Sequence, residues 1–379
     1  MDRSVEYLPN GVAVHQATDE AADKSNIYCE HPWCPPDSHC FVYVRYAPEH
    51  DPNPMEYVSC DFETWKKRVV GRGRGGRIMA NGGKFYYWRL SRKAAQELVE
   101  VDLEMEAEQI IDVPEGVPNS GSFDISASGR YLAFSKPLSF DPQMFAVGVA
   151  DLEHGTVGII HEDPYICNTH LQFEPAEGKQ LMVQHNRGCV FTTEGKMELL
   201  CGTEGCTLFL LSVPDGAATR LQVGPPHTPS LSGHETWLGP TGELIATLNY
   251  AEDYDYGKGR IIRVKPGEPC REVCTPWELN HIGVEPSGRV FAGDAYMPDE
   301  IIIGSPATNR AAVVCQAKST YNRARRRDGS GKCMFDSHPH AYISPDRKWV
   351  VFNSDRTGVQ QIYAAAIPAE MIEAIGERQ

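Results

Sequence analysis

Long apolar runs are absent from this 379-residue sequence. No stretch reaches the roughly 18 consecutive apolar residues that a membrane-spanning helix needs. The first residues, Met1 to Leu8, also lack the apolar core and small-residue cleavage site of a signal peptide. We therefore expect neither a membrane span nor a secretory leader. Without a leader, the 12 cysteines predict reduced thiols in the cytoplasm rather than a disulfide framework.

Positive charge is also scarce. The chain has 36 Lys and Arg against 51 Asp and Glu, which gives a formal net charge of −15. Nucleic acids require clustered basic residues, so this balance argues against a nucleic-acid partner. It also means that an anionic ligand needs a local source of positive charge. The basic run Arg323–Arg327 is either a solvated loop or a patch that attracts polyanions.

Turn-forming residues are abundant, with 34 glycines and 27 prolines, which predicts short elements and disfavours a mainly helical protein. A phrase recurs along the chain, in which a polar turn is followed by an aromatic or β-branched strand. Intervals of 45 to 64 residues separate the seven copies. Periods near this length, with about four short strands per unit, are typical of β-propeller blades. The seven turns are centred on Ser38, Gly83, Gly129, Gly178, Gly242, Gly288 and Arg347.

The two ends of the sequence suggest how the ring closes. The last copy has room for only three strands before the tail at 368–379, which we expect to form a short helix. The first copy is preceded by a strand-like segment, Val5 to Gln16. An N-terminal strand that completes the last blade would remove its exposed edge. We therefore predict an all-β protein, one seven-bladed β-propeller domain over residues 1–379.

Histidines occupy equivalent points in five of the seven copies, although the whole chain contains only 13. Each lies seven or eight residues before its turn, on the strand expected to border the central channel, and the remaining two copies have Gly75 and Gly121 there. One interpretation is that these imidazoles hydrogen-bond the inner-strand backbone. The alternative, which we favour, is a neutral cluster in one funnel that binds metal or transfers protons. The five histidines are His31, His170, His234, His281 and His340.

The segment SHPH adds a sixth histidine, His338, two residues before His340. Residues i and i+2 of a strand face the same side, so both imidazoles are expected to reach one ion. Together with the segments at 159–188, 233–237 and 280–284, the stretch 337–363 resembles the oligogalacturonate lyases, polysaccharide lyase family 22. The resemblance implies a cytoplasmic seven-bladed propeller that uses a divalent metal ion, typically Mn²⁺. Its substrates would be short pectin-derived anionic oligosaccharides, which are cleaved by β-elimination.

The resemblance also implies roles for individual residues. His281, His338 and His340 would be the metal ligands, His234 the base, and His170 a substrate contact. These residue types suit the chemistry of a uronate sugar. Its C5 proton is only weakly acidic, because the adjacent carboxylate is already negative. A metal ion on that carboxylate stabilises the enolate-like transition state, and a neutral imidazole removes the proton.

The sequence departs from the family at two positions. The family has a glutamine ligand where this chain has Phe335, and a substrate-binding arginine where the strand at 207–213 has none. Three histidines and water still suffice for a catalytic metal ion. Arg187 is our candidate for the replacement cation, and water or Tyr342 for the leaving-group acid.

Two other functions remain open from the residues alone. One is a non-catalytic propeller that binds a sugar or a protein partner. The other is a propeller enzyme with a different reaction on a uronic or keto sugar. Metal content separates the first from a lyase, and product mass separates the second.

Overall fold

The computed structural model describes residues 4–74, 78–93, 95–105, 107–118, 120–249, 259–274, 277–296, 299–320 and 337–379, except for the side chains of 78–81, 259 and 296. Nearly all of its regular structure is β-strand. Seven antiparallel sheets follow one another along the chain, each with four or five strands. The predicted all-β, seven-bladed propeller is therefore confirmed.

The strands of blades 1 to 6 run outward from the channel in chain order, whereas the two outer strands of blade 7 come from the N-terminal end of the chain. The first strands of blades 2, 3 and 4 contact one another in turn around the channel, as do those of blades 5, 6 and 7. The strands of blades 1 and 2 are Lys24–Asn26, Cys40–Tyr46, Met55–Asp61, Lys67–Gly73, Ile78–Asn81, Lys84–Leu90, Gln96–Asp102 and Ala107–Ile111. Those of blades 3 and 4 are Phe123–Ile125, Tyr131–Phe140, Gln143–Asp151, Thr156–Asp163, Gln172–Phe173, Gln180–Asn186, Cys206–Ser212 and Ala218–Arg220. An extra hairpin, Val190–Phe191 and Met197–Leu199, is inserted within blade 4.

Blades 5 and 6 consist of Leu231–Trp237, Leu244–Asn249, Gly259–Val264, Arg271–Glu272, His281–Val284, Phe291–Tyr296, Asp299–Ser305 and Arg310–Gln316. Blade 7 consists of Tyr342–Ile343, Trp349–Ser354, Gln361–Ala366, Ala13–Gln16 and Val5–Tyr7. Short 3₁₀ turns occur at Pro48–His50 and Gly239–Thr241, and an α-helix forms at Ala369–Ala374, inside the predicted helical tail. In the part of the chain that the structure describes, no helix is long and apolar enough to cross a membrane.

The seven predicted turns all lie between the first and second strands of their blades. Every turn residue has a left-handed backbone, with φ between +57° and +86°. Glycine adopts this conformation without strain, which explains why it occupies five of the seven positions. The two turns without glycine, at Ser38 and Arg347, are adjacent in space, since the Asp346 N–H donates a hydrogen bond to Ser38 Oγ at 3.0 Å. The repeat pattern in the sequence thus records a local backbone requirement of each blade.

Ring closure uses both ends of the chain. Ala13–Gln16 pairs antiparallel with Gln361–Ala366, with His15 opposite Ala364. The N-terminal contribution is larger than the single strand we predicted, because Val5–Tyr7 folds back on Ala13–Gln16 as a hairpin. Blade 7 therefore has five strands, and the closing interaction joins residues more than 340 positions apart.

The hydrophobic core lies between the blades rather than at the channel. Middle strands are buried along most of their length, as at Phe41–Tyr43 and Ile301–Ile303, because each sheet packs on both faces against its neighbours. Individual clusters join adjacent blades; Val147 of blade 3, for example, packs in the same cluster as Leu211 of blade 4. This packing holds the inner-strand ends rigidly around the channel, where the histidines lie.

Close ring-over-glycine contacts recur inside the blades and give a stability prediction. A Cβ added at Gly148 would lie 2.2 Å from Phe134 Cζ, and one at Gly304 would lie 2.4 Å from Phe291 Cζ. We expect Gly148→Ala to lower the free energy of unfolding by about 1–3 kcal/mol, because the ring must move within a packed core. Urea denaturation measures the change. Gly158→Ala is the matched control, since a Cβ there meets nothing within 4 Å. Equal midpoints for the two variants would show that the ring relocates freely.

Candidate metal centre

Three of the predicted histidines converge at the channel. His281 begins the inner strand of blade 6, and His338 and His340 precede the inner strand of blade 7. The ring centroid of His281 lies 4.2 Å from that of His340 and 5.3 Å from that of His338. One ring nitrogen from each lies within 4.8 Å of the others. Imidazole nitrogens are good ligands for divalent transition metals, and three leave room for water or substrate. His281, His338 and His340 therefore form a set of ligands that could hold one metal ion.

The reason we gave for pairing His338 with His340 was wrong. Neither residue lies in a strand, and His340 has a left-handed backbone with φ of +46°. The bend is held by two buried asparagines, whose side chains bind backbone carbonyls. Asn353 donates to the carbonyl of His338 at 2.9 Å, and Asn26 donates to that of His340 at 2.8 Å. The two imidazoles converge through this hydrogen-bonded bend and not through the pleat of a strand.

A buried carboxylate, that of Asp294, lies behind the imidazole of His281. Asp294, on the second strand of blade 6, is fully buried, and its Oδ2 lies 3.0 Å from His281 Nδ1. Burial raises the pKa of this carboxyl to about 7, and the nearby His338 and the backbone N–H of Ala341 partly oppose the rise. A carboxylate accepts a hydrogen bond from Nδ1–H, and in that tautomer Nε2 keeps the lone pair that a metal ion needs. The donor set and its support therefore fit a divalent cation.

This arrangement predicts the effect of removing the support. Asp294→Asn should weaken Mn²⁺ affinity about 10- to 100-fold, because the uncharged amide orients and polarises the imidazole less well. Isothermal titration calorimetry with MnCl₂ measures the affinity. The control is Asp151→Asn, because Asp151 belongs to the second group of potential ligands, with Glu153 and His154. Asp151 already pairs with Arg130 at 2.7 Å. If Asp294→Asn bound Mn²⁺ as tightly as the parent, Asp294 would not support the site.

The predicted base lies beside this centre. His234 is on the inner strand of blade 5, and its ring centroid is 4.2 Å from that of His281. Strand pairing shifts register between Leu231 and Glu235. Such a bulge re-aims the side chains that it carries. The Tyr28 hydroxyl and His234 Nδ1 share a hydrogen bond, and the Tyr28 ring lies 5.0 Å from that of His340.

Blade 1 contributes Tyr28 to this cluster, and our alignment had placed His31 there. None of the described ring contacts within the cluster involves His31. The inner strand of blade 1 ends at Asn26, and 13 residues separate it from the next strand. Counting back from the turn at Ser38 therefore reaches the loop rather than the start of the strand. Burial lowers the pKa of His31 to about 4, so it is neutral in the fold.

His170 lies on the other side of His234, just before the inner strand of blade 4. Its backbone is left-handed, with φ of +43°. Its Nδ1 lies 3.1 Å from Oε1 of the buried Glu235, and its Nε2 lies 3.1 Å from the side-chain nitrogen of Asn168. His170 and His234 thus face one space from adjacent blades.

That space is a cavity of about 720 Å³. Its polar wall includes Tyr28, Lys136, Asn168, His170, Gln184 and His234. None of its described lining residues is an Asp or a Glu, although the chain as a whole carries a net charge of −15. An anionic ligand therefore meets no carboxylate among the described lining residues of this cavity. No sequence pattern indicated that Lys136 or Tyr28 would line this cavity.

The remaining predicted residues lie elsewhere. Arg187 lines a separate cavity of about 180 Å³, and its guanidinium donates to the carbonyls of Gly205 at 3.0 Å and Pro225 at 2.7 Å. Its role as a substrate cation stays a prediction. Tyr342 is fully buried in the cluster between blades 7, 1 and 2. Phe335, Gly75 and the run 323–327 lie outside the described residues.

Comparison with known proteins supports the fold. No protein-family model and no curated protein sequence matches the chain. Two solved oligogalacturonate lyases match over 98% of this chain and 98% of their own. The chain shares their fold. The one from Vibrio parahaemolyticus is 18% identical with a TM-score of 0.70, and one in complex with manganese is 16% identical with a TM-score of 0.71.

A third match shows how far the fold alone extends. The β-propeller domain of the Trilobed protease from Pyrococcus furiosus is 11% identical, with a TM-score of 0.52, over 90% of this chain and 95% of its own. Propellers of different proteins thus share this architecture, and a reaction must be argued from the site.

Proposed function

We propose that this protein is a metal-dependent lyase that cleaves short uronate-containing oligosaccharides, similar to oligogalacturonate, by β-elimination. One observation carries the proposal. His281, His338 and His340 each place a ring nitrogen within 4.8 Å of the other two, and the ring of His234 is 4.2 Å from that of His281. Three potential ligands and a fourth imidazole beside them are the parts that elimination next to a carboxylate requires.

The reaction needs a base close to a bound carboxylate. When bound at the three histidines, a divalent cation such as Mn²⁺ supplies Lewis acidity, which stabilises negative charge on a uronate carboxylate. His234 lies where it can take the C5 proton of the same sugar, provided that its imidazole is neutral. As the C5–H bond breaks, the C4–C5 double bond forms and the C4–O bond breaks. The product is a 4,5-unsaturated uronate.

The hydrogen bond to Tyr28 supports the geometry of the base. If Nδ1–H donates to the Tyr28 oxygen, Nε2 of His234 keeps its lone pair for the proton. The leaving oxygen must also gain a proton. Tyr342 is fully buried and its hydroxyl has no hydrogen-bond partner among the described residues. Of our two candidates for the leaving-group acid, water is therefore the better supported.

The experiment that tests the function is a substrate screen. Purified protein is incubated with di- and trimers of galacturonate, in EDTA or with added MnCl₂, and ultraviolet absorbance of the unsaturated product is followed. We expect Mn²⁺-dependent absorbance and no reaction with the corresponding neutral galactose oligomers. Mass spectrometry identifies the reaction class, because elimination conserves total mass and hydrolysis adds one water. A protein that holds no stoichiometric metal ion and cleaves none of these oligomers would instead be a binding module.

The proposal extends to the cellular setting. The 11 cysteines of the described residues are all free thiols, and eight of them are buried. Unpaired buried thiols are compatible with a reducing compartment, and we place the protein in the cytoplasm on that basis. Its partner is then a small anionic oligosaccharide, and nucleic acid and membrane are not expected partners.

A further inference from the structure

Blade 3 differs from its neighbours at the edge of the cavity. At the point where blades 4 and 7 carry His170 and His340, it carries Gly121, whose φ is +122°. A Cβ there would lie 2.4 Å from the Ser135 carbonyl oxygen, so no side chain fits. The cavity extends into this gap, and both Ser135 and Lys136 line it.

The strand that carries Lys136 reaches beyond its inner neighbour. Tyr131–Phe140 is ten residues long, and the inner strand of blade 3 pairs only with residues 132–134. Residues 135–140 therefore continue without an inner partner strand. This places Lys136 at the wall of the cavity and not within the packed core, and its side chain is half-buried.

Among the residues that the structure describes, no acidic group balances the Lys136 ammonium. Across the described residues, Lys136 forms no ion pair and no side-chain hydrogen bond, and no carboxylate lines the cavity. Other partly buried cations do have acidic partners, as Lys67 has Glu20 at 2.8 Å and Lys84 has Glu100 at 2.8 Å. An uncompensated cation in a partly desolvated wall attracts an anionic group of a ligand.

We propose that Lys136 binds the carboxylate of a second sugar, adjacent to the uronate that the histidine centre holds. The inference rests on the proposed function and adds a specificity determinant to it. The metal centre adjoins this cavity through His234, which lines the cavity and lies 4.2 Å from His281. An oligouronide presents one carboxylate per sugar, so a ligand of two or more units held at the centre can extend a second negative charge into the cavity. Asn168 lines the wall with Lys136, and its side-chain oxygen can accept a hydrogen bond from a sugar hydroxyl group. Arg187 is not suited to this role, because its guanidinium is already bound to backbone carbonyls.

The test measures binding without turnover. Mn²⁺-loaded protein with His234→Ala is titrated calorimetrically with digalacturonate, alone and combined with Lys136→Met. We expect Lys136→Met to weaken binding about 10- to 100-fold, the usual range for a charge-assisted hydrogen bond. Lys136→Arg should recover most of that loss, because it restores the charge. Lys196→Met, which removes an exposed lysine of the inserted hairpin, is the matched control and should bind as the parent does.

A neutral ligand distinguishes charge recognition from packing. The dimethyl ester of digalacturonate should bind equally to proteins with and without Lys136, and an equal loss for the ester would overturn the proposal. Unchanged digalacturonate affinity in Lys136→Met would overturn the role of Lys136 and leave the lyase proposal standing. No digalacturonate binding by the protein that retains Lys136 would overturn both.

Discussion

Alanine in place of His338 should abolish stoichiometric Mn²⁺ binding and slow uronate elimination by about 10³-fold or more. The size follows from the several kcal/mol of charge stabilisation that a metal ion supplies, at about 1.4 kcal/mol per factor of ten. His338 is the best of the three ligands to replace, because it is half-buried and has no left-handed backbone. Its carbonyl, which Asn353 binds, is retained in the alanine variant.

The measurements are metal content after dialysis and initial rates of product absorbance at saturating MnCl₂. His154→Ala is the control, because His154 belongs to the other group of potential ligands in the described chain, which is mostly exposed. It should match the parent in both measurements. One equivalent of Mn²⁺ retained by His338→Ala, with an unchanged rate, would remove this histidine from the metal centre.

Replacement of His234 by alanine should separate catalysis from metal binding. We expect the elimination rate to fall about 10²- to 10⁴-fold, the usual contribution of a positioned general base. Metal stoichiometry should stay at the parental value, since His234 is not one of the three grouped ligands. Initial rates with several uronate oligomers, measured beside Mn²⁺ titrations, test both expectations.

Two outcomes would contradict this assignment. An unchanged rate with every oligomer would mean that another group takes the proton. Loss of the metal ion together with the rate would mean that His234 is a ligand rather than the base. Tyr28→Phe is the companion variant, because it removes only the hydroxyl that is hydrogen-bonded to His234. It should leave metal binding intact.

Much of the architecture was predictable from the sequence because blade turns are local. A left-handed turn residue is required once per blade, and the spacing of such residues revealed seven blades. The meeting of His281 and His340 was also predictable, since each lies at the start of an inner strand or just before it. Equivalent positions in successive blades of a closed ring meet at the same channel.

Other features depend on loop lengths and on contacts between residues that are far apart in the sequence. Because 13 residues connect the first two strands of blade 1, the residue from this blade that reaches the cluster is Tyr28 and not His31. The bend at His338 and His340 depends on Asn26, which lies more than 300 residues away. Pattern reasoning counts along the chain, so it misses an irregular loop or a partner from another blade.

The sequence by itself determined the propeller, its closure by the N-terminal segment and the placing of histidines at its centre. Turn conformation and repeat spacing are local properties that can be read directly from the residues. Only the tertiary structure decided that Asp294 lies behind His281, that Arg187 points into a separate cavity, and that Lys136 lines a cavity without carboxylates among its described residues. Charge acts through space and not along the sequence. A chain with a net charge of −15 can therefore present positive charge to a ligand at one site.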